Sequence, residues 1–272
     1  MTRFRPGLCS VTFRTLAPRT VVRLAAECGI AGIEWGGDVH VPPGQPDFAR
    51  HVRRLTEDAG LSVISYGSYI APPSDDEQAF ATVLETAQAL GAPNIRIWPG
   101  SRNRDSATYS PDERAHAAAL IRRMARLADA VSVTLGLEYH PNSLTDERAS
   151  AQRLMAEIDD PNVFLYWQPR PGLPLDEALD EFRAVGPDTS HVHVFAWDRE
   201  KTRYPLADQS AYWTEILTNA PATRWPGERF AMLEFVRDDS PEQFRADAAV
   251  FRQVLEEVQL SEEDKARPPG AA

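Results

Sequence analysis

Short runs of β-branched and aromatic residues alternate with amphipathic stretches along almost the whole chain, a pattern that predicts repeated strand–helix units and a parallel sheet. Eight strands are predicted, at residues 8–13, 32–35, 62–66, 94–98, 134–139, 163–168, 191–195 and 230–235. Spread over 272 residues, they leave room in each unit for a strand, a helix and two loops. We therefore predict an α/β fold, a single (β/α)8 TIM barrel over residues 1–260, followed by a flexible C-terminal tail over residues 261–272.

Two predicted helices begin with the same signal, a serine cap followed by proline and, two residues later, an acid or an amide. They start at Ser110-Pro111-Asp112-Glu113 and Ser240-Pro241-Glu242-Gln243. After the first cap, apolar residues recur at helical spacing, and we expect this face to pack on the sheet. These residues are Leu120, Met124, Leu127 and Val131. A doubly wound open sheet is the alternative, but no glycine-rich dinucleotide loop follows the first strand.

Composition and charge narrow the possible functions. The chain is 43% hydrophobic and 25% charged, which is typical of a globular protein. Its net charge of −11 repels a phosphate backbone, so nucleic acid is not an expected partner. No apolar run is long enough to span a membrane and the first residues lack the hydrophobic part of a secretory signal, so we expect a cytoplasmic protein. Cys9 and Cys28 are expected to be reduced thiols.

Polar residues follow the apolar part of four consecutive predicted strands, where a barrel places its reacting groups. By the two-residue alternation of a strand, these side chains turn away from the residues that face the helices. They are Glu138, Gln168, His193 and Glu234. Two carboxylates in a partly dry pocket need a cation, and an imidazole beside them completes a divalent-metal set. We predict that these four residues bind a metal, with Mn²⁺, Mg²⁺ or Co²⁺ favoured and Zn²⁺ possible.

Four short motifs occur in order along nearly the whole chain. They are Gly29-Ile30-Ala31-Gly32-Ile33-Glu34, Leu137-Glu138, His191-Val192-His193 and Leu233-Glu234. In these motifs the sequence resembles the sugar phosphate isomerase/epimerase superfamily, the xylose isomerase-like TIM barrels that include ketose 3-epimerases and inosose dehydratases. The resemblance implies that Glu138 and Glu234 are both metal ligands and the acid/base pair. It also implies that His193 is a ligand, that Arg199 reaches substrate oxygens, and that the protein is a homo-oligomer.

The sequence departs from that family after the sixth strand, where Gln168 and Pro171 replace the usual aspartate and histidine. Glutamine offers an oxygen without a charge, so two glutamates and one divalent ion sum to zero. We hypothesise that the resulting metal is more electrophilic than one held by three carboxylates. The substrate contact of the usual histidine is not expected to carry over.

The implied chemistry is removal of a proton beside a metal-polarised carbonyl by a glutamate. Return of the proton to another face or carbon gives an isomerase or epimerase of a ketose or keto-sugar, which is the first interpretation. Loss of a β-leaving group from a keto-sugar or keto-glycoside gives a lyase or dehydratase instead. Two other classes are a noncatalytic sugar-binding barrel and a multi-metal DNA-repair endonuclease, the latter disfavoured by the net charge.

Further residues at or near the strand ends are candidates for binding the sugar substrate. They are Arg199, His140, His40, Trp35, Trp98 and His191. Flat aromatic faces suit the C–H surfaces of sugars. Three of the histidines have alternative interpretations: His40 as a surface residue, His191 as a core residue one layer below the site, and His140 as a residue that orients Glu138.

A purely structural role for the four central residues is the remaining alternative. Two buried acids without a metal would need two basic partners, and no lysine or arginine lies within these four strand runs. The loop residue Arg199 offers one. Glu34 is expected to be a buried polar residue paired with Arg96 or Arg199, with a catalytic role as the alternative.

Overall fold

The chain closes into the predicted barrel, as seen in a computed structural model that describes residues 4–266. The strands are β1 (Phe4–Cys9), β2 (Gly32–Gly36), β3 (Ser62–Gly67), β4 (Asn94–Ile97), β5 (Thr134–Glu138), β6 (Val163–Trp167), β7 (Thr189–Val194) and β8 (Arg229–Leu233). Neighbours in the chain pair in parallel, and β1 closes the barrel against β8 from Phe4 opposite Arg229 to Leu8 opposite Leu233. Because every strand runs the same way, their carboxyl ends form one mouth.

A helix follows every strand and packs outside the barrel. The helices are α1 (Pro18–Glu27), α2 (Pro46–Asp58), α3 (Glu77–Leu90), α4 (Pro111–Asp129), α5 (Arg148–Ile158), α6 (Leu175–Val185), α7 (Ser210–Thr218) and α8 (Pro241–Ala266). Both predicted caps are confirmed. Ser110 accepts from the Glu113 amide while the Glu113 carboxylate accepts from the Ser110 amide, and the Ser240 hydroxyl accepts from the Gln243 amide at 3.2 Å.

Two details of the prediction are wrong. The first strand runs over Phe4–Cys9, and residues Ser10–Phe13 form a buried 3₁₀ turn instead of a strand. The apolar face predicted for α4 is also rotated: its leading residues are buried, but Leu127 and Val131 are 41% and 38% exposed. Alanines complete the buried face instead, at Ala117, Ala125 and Ala128, because small residues let the helix approach the barrel closely.

The structure describes only part of the predicted C-terminal tail. Helix α8 continues to Ala266, so the first half of the segment over residues 261–272 is helical. Residues 267–272 lie outside the part of the chain that the structure describes. The helices between residues 4 and 266 include none that is both long and apolar enough to cross a membrane.

Two sets of side chains form the core, one between the barrel and its helices and a smaller one inside the barrel. Trp167 faces outward as its position predicts, stacking on Phe182 of α6 with ring centroids 4.3 Å apart. Inside, Tyr166 lies against Gly136, where an added Cβ would come within 2.2 Å of the tyrosine ring. These packed side chains fill the barrel below the polar residues of the mouth.

Candidate active site

Six polar side chains meet inside the mouth of the barrel, and all are buried. They are Glu34 of β2, Arg96 of β4, Glu138 at the end of β5, Gln168 directly after β6, His193 of β7 and Glu234 directly after β8. The four residues of the predicted metal set are thus brought together, each by the carboxyl end of its own strand. Glu34 and Arg96 join them from β2 and β4, and β4 pairs directly with β5.

The imidazole of His193 lies at the centre of the predicted set. Its Nδ1 is 3.2 Å from Gln168 Oε1, 3.5 Å from Glu234 Oε2 and 3.9 Å from Glu138 Oε1. Three oxygens therefore surround one ring nitrogen. The other nitrogen, Nε2, has no hydrogen-bond partner within the described residues and lies 3.8 Å from Glu34 Oε1.

Arg96 forms ion pairs with two carboxylates at once. Its Nε donates to Glu34 Oε1 at 2.8 Å, and its Nη1 donates to Glu138 Oε2. Glu34 is also held on its other side, because the Ser65 hydroxyl donates to Glu34 Oε2 at 2.7 Å. Of the two partners considered for Glu34, the structure shows Arg96. The basic residue that the four strand runs lack comes from β4.

Burial and neighbouring charges shift the pKa values of the two glutamates that flank this group in opposite directions. Burial favours the neutral form of Glu34, but Arg96, His193 and Ser65 together outweigh it and lower the pKa of this carboxyl. At Glu234, burial raises the pKa and the Glu138 charge adds to the effect, while His193 and Arg96 oppose it. Glu234 is therefore the carboxyl that accepts a proton more readily.

The donor set suits a divalent metal ion. Single ligand atoms of Glu138, His193 and Glu234 lie within 4.8 Å of one another, and those of Cys9, Glu34 and His193 form a second such group. With neutral histidine, three carboxylates and one guanidinium sum to −2, which matches one divalent cation. The first group is the better candidate, because Gln168 adds a fourth donor beside His193 Nδ1 there.

Three of the candidate substrate-binding residues are buried away from the centre of the mouth. His40 places Nδ1 3.0 Å from the Ser10 hydroxyl and Nε2 within 3.2 Å of two backbone carbonyls. Trp35 is fully buried and donates to Thr56 of α2 at 3.2 Å. His191 accepts from the Phe230 amide at 3.1 Å. His40 and Trp35 thus use their ring nitrogens in bonds within the fold. His191 is a buried core residue, as its alternative interpretation predicted, although its Nε2 has no hydrogen-bond partner among the described residues.

The other three candidates lie on loops at the mouth. Arg199 is exposed, and its Nε donates to the Gly172 carbonyl at 3.4 Å, so it does not reach the central carboxylates. Trp98 and His140 are half-buried neighbours with ring centroids 4.2 Å apart. His140 Nδ1 is 2.8 Å from the Pro141 carbonyl. A carbonyl can only accept, so Nδ1 carries the proton and Nε2 is left as an acceptor.

Sequence reasoning missed Arg96 and Ser65 as members of the site and treated Glu34 as a bystander. A signal was present in Ile95-Arg96-Ile97, where one arginine interrupts an apolar strand. Alternation turns that arginine into the barrel, where an unpaired charge is not tolerated. An inward arginine on β4 therefore required at least one inward acid.

The chain belongs to the xylose isomerase-like TIM barrel family, whose model matches residues 22–254. It is 27% identical over 202 residues to a 3-dehydroshikimate dehydratase from Bacillus anthracis, covering 69% of this chain and 70% of that protein. An L-ribulose 3-epimerase has the same fold, with a TM-score of 0.69, 14% identity and 99% of both chains covered. So does a barrel from Mycobacterium smegmatis solved with magnesium, with a TM-score of 0.67, 14% identity, and 96% and 98% covered. The chain is thus similar in sequence to a dehydratase and shares its fold with an epimerase.

Proposed function

We propose that this protein is a metal-dependent dehydratase that removes water from a small polyhydroxylated carbonyl compound. The observation that carries the proposal is a difference in ion pairing between the two candidate acid/base residues. Glu138 is paired with Arg96, whereas Glu234 has no arginine or lysine within ion-pair distance among the described residues. The site therefore offers one carboxyl that is free to exchange a proton. A β-elimination needs one such group at the carbon, but a two-base epimerisation needs one on each face.

The expected metal ligands are Glu138, Gln168, His193 and Glu234, with Mn²⁺, Mg²⁺ or Co²⁺ favoured over Zn²⁺. A divalent ion bound there would supply Lewis-acid polarisation of the substrate carbonyl and hydroxyl. Glu234 removes the proton next to the carbonyl. The same carboxyl then delivers the proton to the departing hydroxyl, so that water leaves.

The dehydratase from Bacillus anthracis supports the same reaction class and suggests 3-dehydroshikimate as the first substrate to test. Half-buried Trp98 and His140 supply an aromatic wall and a hydrogen-bond acceptor at the mouth for such a ring-sized molecule. Exposed Arg199 could contact a substrate carboxylate only after its loop moves inward.

Isomerisation or epimerisation of a ketose is the second candidate. It is favoured by the placement of Glu138 and Glu234 on strands β5 and β8, both within 3.9 Å of the same His193 nitrogen. If substrate binding releases Glu138 from Arg96, two carboxyls become available and proton return to the opposite face is possible.

The two candidates are separated by incubating Mn²⁺-loaded protein in D₂O with 3-dehydroshikimate and with a panel of ketoses. A dehydratase produces an unsaturated or aromatic product that is followed by ultraviolet absorbance and NMR. An epimerase produces a rearranged sugar carrying deuterium. Glu234→Gln is the control and is expected to lower either rate at least a hundredfold, since general-base catalysis contributes roughly 10²–10⁴-fold. A metal-loaded wild type that neither consumes nor labels any substrate would contradict both candidates and favour a sugar-binding barrel.

A further inference from the structure

The Glu34–Arg96 ion pair lies inside the active site without belonging to the predicted metal set. Its side chains are only 2% and 4% exposed, so water does little to screen their charges. Arg96 also forms an ion pair with Glu138, which is one of the predicted ligands. A permanent positive charge therefore stands beside the place where a divalent cation would bind.

Arg96 has two opposing effects on the predicted metal site. It occupies Oε2 of Glu138, which leaves Oε1 as the oxygen that faces His193 Nδ1 at 3.9 Å and Gln168 Nε2 at 3.5 Å. It thereby orients the ligand. Its charge, however, repels any cation bound to that oxygen. An arginine in this position is compatible with a metal only if another acid neutralises it.

Glu34 is placed to do this. One of its oxygens accepts from Arg96 and the other from Ser65, so the carboxylate is directed at the guanidinium that it neutralises. Ser65 is itself buried and fixes the carboxylate in position. Charges of Glu34 and Arg96 cancel, and the carboxylates of Glu138 and Glu234 remain to match one divalent ion.

We propose that Glu34 is a positioning residue that sets the metal affinity of the site by neutralising Arg96. Arg96 in turn occupies Oε2 of Glu138 and leaves Oε1 facing His193 and Gln168. This inference rests on the proposed function, because it requires that the site formed by Glu138, His193 and Glu234 binds a divalent ion. It assigns to Glu34 no direct contact with that ion.

The test is calorimetric titration of Mn²⁺ into metal-stripped wild type, Glu34→Gln, Arg96→Met and the double variant. Glu34→Gln leaves Arg96 uncompensated and is expected to weaken Mn²⁺ binding at least tenfold. Arg96→Met removes the repelling charge and is expected to bind Mn²⁺ at least as tightly as wild type. The double variant has the wild-type net charge, and its affinity is expected to return to within about threefold of wild type.

A merely structural role for the pair predicts a different pattern. If Glu34 only braces the barrel, both single variants weaken Mn²⁺ binding and the double variant binds no better than Glu34→Gln. That pattern would overturn the inference. Thermal melting of each metal-free variant is measured alongside, so that a loss of folded protein is not mistaken for a loss of affinity.

Arg114 provides a matched control. Its side chain is also 4% exposed and pairs with a glutamate, Glu157 of α5, in the layer of helices outside the barrel. Arg114→Met is expected to lower the melting temperature without changing Mn²⁺ affinity. A wild type that binds no divalent ion overturns the proposed function and this inference together, whereas wild-type binding with the structural pattern above overturns only the inference.

Discussion

Individual polar residues at the mouth form two sets, those in an ion pair with Arg96 and those that contact His193. Glu138 and Glu34 are tied to Arg96, while Gln168 and Glu234 meet the imidazole of His193. The substitution of glutamine for the family's usual aspartate is therefore placed directly against a ligand atom. Its effect should be electrostatic, because Gln168 already has the oxygen that an aspartate would offer.

Gln168→Asp is expected to tighten Mn²⁺ binding about tenfold or more. A fourth carboxylate would make the site more negative by one charge, and a tenfold change in affinity corresponds to about 1.4 kcal/mol. Calorimetric titration measures the change, and Gln168→Asn, which keeps a neutral amide one carbon shorter, controls for altered reach. Equal affinities in Gln168→Asp and wild type, with the same pH profile, would remove the idea that glutamine tunes the metal.

Glu234→Gln is expected to raise the melting temperature of the metal-free protein at pH 8. Because burial raises the pKa of Glu234, the folded state holds this proton more tightly than the unfolded state does. Stability from the group is complete below the unfolded pKa and is lost as pH rises through the folded pKa. Each kcal/mol regained shifts the melting temperature by roughly 2–4 °C. The rise in melting temperature should be smaller at pH 4. A rise of the same size at both pH values would contradict a raised pKa at Glu234.

Among the secondary-structure elements, local sequence determines where a helix begins more closely than which of its faces packs on the barrel. Helix α4 shows this: its start at Pro111 follows from local sequence, but its buried face differs from the one that periodicity predicted. Periodicity of large apolar residues locates an apolar stripe but gives no weight to alanine. Alanines of α4 share the buried face with Leu120, Ile121 and Met124, so the face that packs is broader than the predicted stripe and turned away from Leu127.

Ser110→Ala is expected to lower the free energy of unfolding by about 1 kcal/mol, the usual worth of a helix cap. The hydroxyl accepts from the Glu113 amide at 3.3 Å, and alanine leaves that donor without its partner. Urea unfolding followed by circular dichroism measures the loss. Ser110→Asp restores an acceptor and should recover most of it, whereas equal losses in both variants would show that the cap bond contributes nothing.

For the molecule as a whole, the closed parallel sheet both gathers the site and buries it. Buried histidines are one consequence. Burial lowers the pKa of His191 to about 3, and its Nδ1 accepts from the Phe230 amide, so this imidazole is neutral in the folded protein. Burial lowers the pKa of His40 as well. The fold therefore excludes protons that the unfolded chain would bind.

We expect the free energy of unfolding to fall as pH is lowered from 7 towards 5. A histidine with a depressed folded pKa contributes stability above its unfolded pKa of about 6.5, and this is lost as pH falls towards the folded value. His191 alone gives a slope of at most about 1.4 kcal/mol per pH unit. Urea titrations at several pH values measure it. His191→Gln should flatten the slope, and an unchanged slope would show that the protonation arises elsewhere.

The sequence by itself determined the number of strand–helix units, the caps of α4 and α8, and the four polar side chains of the predicted metal set. These follow from local periodicity and from alternation along single strands, which need no knowledge of neighbours. Only the tertiary structure decided the partners. Arg96 joins Glu34 and Glu138 across 62 and 42 residues of chain, and His40 and Trp35 turn to the fold and away from substrate. Such pairings depend on strand register and loop path, because a buried charge is stable only where the closed barrel brings its counter-charge within reach.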